Sequence, residues 1–121
     1  MSTLRLLAAP GLLLAVSSLL LAPPAGATVE NQKAFKEYVK KVSEPSVVPL
    51  GKCTTCHVKP LPKKDDHAHN PYGAALANTI AGKKGATPDF AAVEGLDSDA
   101  DGVKNLDEIR KGTNPGDPKS K

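Results

Sequence analysis

The chain has 121 residues, with 16 Lys and Arg against 13 Asp and Glu for a formal charge of +3, two Cys, two Phe, two Tyr and no Trp. So small a positive balance supplies no basic patch for nucleic acid, and so few aromatic residues leave little apolar area to offset the entropy of ordering the backbone. A chain of this kind needs a staple, and its 11 Pro and 10 Gly favour helices joined by substantial loops.

The N-terminal residues read as an export signal. Arg5 supplies the positive charge, Leu12 to Leu21 forms the apolar run, and Ala25-Gly26-Ala27 offers a small-x-small cleavage site. Residues 1–27 are therefore expected to be a signal peptide and residues 28–121 one small domain. The alternative, an uncleaved membrane anchor, is weakened by Pro10, Gly11, Ser17 and Ser18. No stable membrane anchor is expected once the signal is removed.

From Glu30 to Ser43 the apolar residues Ala34, Phe35, Tyr38, Val39 and Val42 recur at intervals of three and four, the spacing of one helix face. Glu44-Pro45 ends that helix, because a residue preceding proline is driven out of the helical region. Residues 45–51 then act as a connector.

Cys53-Thr54-Thr55-Cys56-His57 spells C-x-x-C-H, the motif by which a c-type haem is attached. Two thiols at this spacing can add to the two vinyl groups of one porphyrin, while His57 serves as the proximal ligand of the iron. Both cysteines of the chain are consumed by the motif. Two other chemistries use a C-x-x-C pair. A redox dithiol expects a thioredoxin-like strand-helix-strand setting, which the sequence lacks, and a zinc site needs two further ligands such as His67 and His69.

Pro60 to Asp66 is broken by prolines and charged, and is expected to be a loop. Asn70-Pro71 reads as an N-cap followed by a first-turn proline, opening a helix through Tyr72, Ala75, Leu76 and Ile80 with Gly82 beyond its end. Thr87-Pro88-Asp89 repeats the signature and predicts a short helix carrying Phe90, Val93 and Leu96 on its apolar side. No strand pattern of useful length occurs, so the fold class is all-α.

Asp97 to Glu108 satisfies D-x-D-x-D-G-x5-E in every position, the loop pattern of an EF-hand calcium site. The spacing places the carboxylates of Asp97, Asp99 and Asp101 around one hard cation, with the Val103 carbonyl, a water held by Asn105 and a bidentate Glu108 completing the shell. Gly102 makes the sharp turn. An acidic turn capping a helix needs fewer of these features. Lys104 stands where paired EF-hands carry an apolar residue, and only one loop is present, so a structural and not a regulatory role is expected. A helix should follow from Asn105 to Gly112, and Thr113 to Pro118 are turn formers, with residues 119–121 expected to fray.

What lies opposite His57 decides the haem chemistry. Met1 is the only methionine and is lost with the signal, which removes the His/Met pair. His69 is the favoured distal ligand and His67 the alternative, both on a loop long enough to fold back across the porphyrin. A five-coordinate iron, or one capped by water, Lys or Tyr72, is the competing arrangement.

The order of these motifs carries a resemblance. The C-x-x-C-H turn, Asn70-Pro71-Tyr72-Gly73, the D-x-D-x-D-G loop and Gly112-Thr113-Asn114-Pro115 together resemble small exported monohaem c-type cytochromes with a C-terminal EF-hand-like calcium loop, similar to those of thrombospondin type 3 or dockerin modules. The resemblance implies a cytochrome c-like helical domain wrapped round one covalent haem c, with one calcium ion, long loops and a periplasmic location. It implies electron transfer with periplasmic redox partner proteins and no enzymatic activity. A haem-based sensor or small-gas binder with an open iron position is the second expectation, and a weak peroxidase-like activity the third.

Overall fold

A computed structural model describes residues 29–44, 50–63 and 65–120. The expected signal peptide, the 45–49 part of the connector, Lys64 and Lys121 lie outside the described residues. Three α-helices and two short 3-10 turns form the fold, and no strand occurs among the described residues. The all-α expectation holds at that level.

The first helix, α1, spans Val29–Val42, within a residue of the stretch marked out by its apolar spacing. Glu30 in its first turn and Lys40 and Lys41 in its last complement the helix dipole. Phe35 and Val39 are buried, and Ala34, Tyr38 and Val42 pack beside them. Where the helix ends, the Ser43 hydroxyl donates to the Ile109 carbonyl at 3.1 Å.

The second helix, α2, spans Pro71–Thr79, and the side chain of Asn70 accepts from the Gly73 amide at 2.9 Å. This is the cap-then-proline start expected from the sequence. Tyr72, Gly73 and Leu76 form its buried face. The third helix, α3, spans Asn105–Lys111 and ends on Gly112 in the left-handed region at φ 79°, the backbone state glycine adopts without steric cost.

The segment after Pro88 departs from expectation. Only a single 3-10 turn forms, over Ala91–Val93, and it is Asp89, not Thr87, whose carboxylate accepts from a backbone amide, that of Ala92 at 3.1 Å. Gly95 follows so soon that no longer helix can gain cooperativity. Leu96 is 49 % exposed and stays out of the core.

One apolar cluster unites these elements: Phe35, Val39, Tyr72, Leu76, Phe90, Val93 and Ile109. Its aromatic rings are mutually tilted or stacked, with Phe35 and Phe90 centroids 5.5 Å apart and Tyr38 and Phe90 5.2 Å apart. Burying each such side chain contributes about 1.5–3 kcal/mol, so a core this small leaves much of the chain to be held by polar ties. Several are visible at the C-terminus. Pro115 is fully buried, and the Asn114 amide donates to the Ser120 hydroxyl at 2.8 Å. The tail to Ser120 is thus fastened and does not fray as expected, because its turn residues find partners.

Candidate functional site

Cys53–Thr55 forms a single 3-10 turn. It closes through backbone bonds from Cys56 and His57 to the Cys53 carbonyl, at 3.1 and 2.8 Å. Three side-chain bonds grip it from outside. Asn70 Nδ2 donates to the Thr54 and Thr55 carbonyls, both at 3.0 Å, and Asn114 Nδ2 donates to the Thr54 carbonyl, also at 3.0 Å. The chain returning from the 58–69 loop adds a fourth tie, the Asn70 amide donating to the Cys56 carbonyl at 3.0 Å.

His57 is 4 % exposed. Its Nδ1 lies 3.2 Å from the His67 carbonyl; a carbonyl only accepts, so Nδ1 is the donor, and in the neutral ring this leaves the lone pair on Nε2. That Nε2 is buried and has no hydrogen-bond partner. A buried imidazole nitrogen without a partner is costly unless something ligates it. The residues of the turn therefore fit a haem: two free thiols and an adjacent imidazole whose outer nitrogen is held by a carbonyl.

Burial, and next the neighbouring Cys53, push the Cys56 thiol up to about 11. A reactive redox dithiol needs the opposite shift, since the thiolate is the nucleophile. Zinc fares no better. Among the described residues the gathered set of metal-type side chains is Asp97, Asp99 and Asp101, and it includes neither cysteine nor any histidine.

His69 and His67 sit beside His57. The backbone of 57–58 pairs with that of 68–69, through a His57–His69 antiparallel bridge and a Val58 amide bond to the Ala68 carbonyl at 3.0 Å. Directly opposed residues of such a pair project to one face, and the His57 and His69 ring centroids are 4.9 Å apart. The loop thus folds back onto the motif's own backbone. His69 thus lies beside His57 on that face, and the His67 backbone carbonyl meets Nδ1 of His57. Burial, and then the charges of His57 and His67, lower the His69 pKa. Within the same loop Lys59 pairs with Asp66.

At the other candidate centre, one oxygen from each of Asp97, Asp99 and Asp101 lies within 4.8 Å of the others. The loop's backbone shapes them. Asp97 accepts from the amides of Asp101 and Gly102 at 3.1 and 2.9 Å, Asp101 accepts from Val103 at 2.8 Å, and Gly102 adopts φ 92°. Glu108, on the first turn of α3, is 1 % exposed, and both its carboxylate oxygens lack a partner. Burial, then the charges of Asp99, Asp101 and Asp97, push its pKa up to about 7. Asp99 is raised as well, by burial and then by Asp101. Three gathered carboxylates, with a buried and unpartnered fourth close enough to feel their charge, are the electrostatic signature of a place for a cation.

Asn105 is placed differently from its expected water-holding role. It is fully buried, accepts from the Ser98 amide at 3.1 Å, and donates to the Val93 carbonyl and the Ser98 hydroxyl at 2.8 Å each. Its amide braces the loop against the preceding turn. Asn70 and Asn114, which hold the Cys53–Thr55 turn, were not among the candidate site residues. Asn70 was legible as a cap, but no local pattern announces the side-chain bonds to Thr54 and Thr55.

Compared with protein-family models, with curated proteins and with solved structures, the chain gives no match.

Proposed function

We propose that this protein is a small exported monohaem c-type cytochrome that carries electrons between redox partner proteins of the periplasm, with one calcium ion in the 97–108 loop. The observation that supports it most is the buried, unpartnered Nε2 of His57, in a motif that sets two free thiols at the attachment spacing. When bound, the haem supplies a one-electron iron couple. Cys53 and Cys56 would tether it and His57 would ligate its iron, while the His67 carbonyl keeps the imidazole in the tautomer that offers Nε2. Asn70 and Asn114 keep the turn in one shape. Asp97, Asp99, Asp101, Glu108 and the Val103 carbonyl would hold calcium and brace α3. On this reading the protein moves electrons and transforms no substrate.

A second reading is favoured by the contact between His57 and His69. Were that contact kept with haem bound, His69 would not ligate the iron, and an exogenous ligand would, as in a sensor or small-gas binder. Visible spectra of protein made in a host with haem-maturation machinery test both. The electron-transfer reading expects a haem spectrum that is reduced and reoxidised reversibly by one-electron mediators; rapid carbon monoxide uptake by a protein that exchanges electrons poorly favours the second reading, and a protein without a haem spectrum contradicts both.

A further inference from the structure

The two candidate centres are joined by a short, continuous set of bonds. The buried Glu108 carboxylate has no hydrogen-bond partner and feels the charges of Asp99, Asp101 and Asp97, while its backbone carbonyl accepts from the Thr113 amide at 2.9 Å and from the Thr113 hydroxyl at 3.3 Å. The next residue, Asn114, donates from Nδ2 to the Thr54 carbonyl, between the two cysteines of the turn. Its Oδ1 accepts from Gly116 at 3.0 Å, which fixes the direction of the amide. Gly116 in turn packs against Asn70, so closely that a Cβ there would come within 2.4 Å of the Asn70 side chain. The segment after α3 thus carries one of the two asparagines that grip Thr54 and packs against the other.

We propose that Asn114 is a positioning residue that couples the cation loop to the Cys53–His57 turn, so that a cation on Glu108 orders the turn and an ordered turn strengthens cation binding. The proposal rests on the cation reading given above. Without a cation, the buried Glu108 faces three other carboxylates, and their repulsion loosens the first turn of α3. With one, Glu108 is drawn in and its carbonyl fixes Thr113 and hence Asn114. The coupling is reciprocal by thermodynamic necessity.

The test uses the haem-loaded full chain with calcium chloride or with a chelator, and follows amide hydrogen exchange at Thr55, Cys56 and His57, whose amides bond within the turn. Calcium should slow exchange at these three positions by about tenfold, within the usual range of coupling between sites. Asn114→Asp keeps the acceptor for Gly116 and loses the donor to Thr54. It should still bind calcium in calorimetry while the slowing disappears. Should this variant fail to fold, calcium affinity is compared between the haem-loaded chain and a Cys53→Ala, Cys56→Ala chain, and the latter is expected to be weaker by about fivefold or more. Calcium binding with unchanged exchange at the turn, retained slowing in Asn114→Asp, or equal affinities in the second comparison would overturn the coupling alone. Absence of calcium binding would overturn the coupling and the cation reading together.

Discussion

A Cβ built on Gly73 would lie 1.9 Å from the carbonyl oxygen of Cys56. Helix α2 therefore rests directly on the backbone of the Cys53–His57 turn, and the glycine is what permits the approach. The neighbouring atom is backbone, so no side-chain rotation can relieve a clash there.

Gly73→Ala normally favours a helix by up to about 1 kcal/mol, but here the overpacking cost of about 1–3 kcal/mol or more sets the sign. The variant is expected to melt at lower temperature and to give a lower yield of haem-bearing protein. A thermal melt at or above that of the wild type would show that α2 does not rest on the turn.

Asn70 combines a helix cap with two donors to the turn. Asn70→Ala removes the cap, at about 0.5–2 kcal/mol, and leaves the buried Thr55 carbonyl without its side-chain donor, at about 1–3 kcal/mol, while the Thr54 carbonyl keeps the bond from Asn114. Asn70→Ser keeps a capping oxygen but cannot span both carbonyls, so denaturant midpoints should fall in the order wild type, Asn70→Ser, Asn70→Ala.

The elements that local chemistry decides were legible in the sequence: the apolar face of α1, the Asn70-Pro71 start of α2 and the Gly112 end of α3. The Thr87-Pro88 signature misled because Asp89, two residues on, reaches the free amide of Ala92 and Gly95 cuts the helix short. Tertiary ties were not legible. Nothing near Asn114 in the sequence reports its bond to Thr54, and the alternation that pairs His57 with His69 is a single bridge, too short to register as a strand. The acidic loop was legible as a pattern, whereas the use of Asn105 as a brace depends on where Val93 and Ser98 lie.

Glu108 makes cation binding depend on pH. Its pKa in the folded, cation-free protein is raised to about 7 from an ordinary 4.5. Between these values the folded chain holds a proton that the unfolded chain has lost, so the stability of the cation-free protein should fall as pH rises through the window. Calcium must displace that proton, and its affinity should drop by about tenfold per pH unit below about 7. Calorimetric titrations across that range check the slope. Glu108→Gln should weaken calcium binding and flatten the pH dependence, yet raise the melting temperature measured in chelator.

The side-by-side placement of His57 and His69 makes a spectroscopic prediction. His69→Ala and His67→Ala should leave the ferric spin state unchanged, as read by electron paramagnetic resonance. A low-spin signal that turns high-spin in either variant would put that imidazole on the iron, and would mean that the His57–His69 bridge opens when haem binds.

The most direct measurement is the intact mass of the exported chain, purified from cells that mature c-type haem. The expected product is one haem heavier than the processed polypeptide, stays so after denaturation, and loses the added mass when Cys53 and Cys56 are replaced by alanine. A chain that carries its bare polypeptide mass, with both thiols open to alkylation, would contradict the proposal.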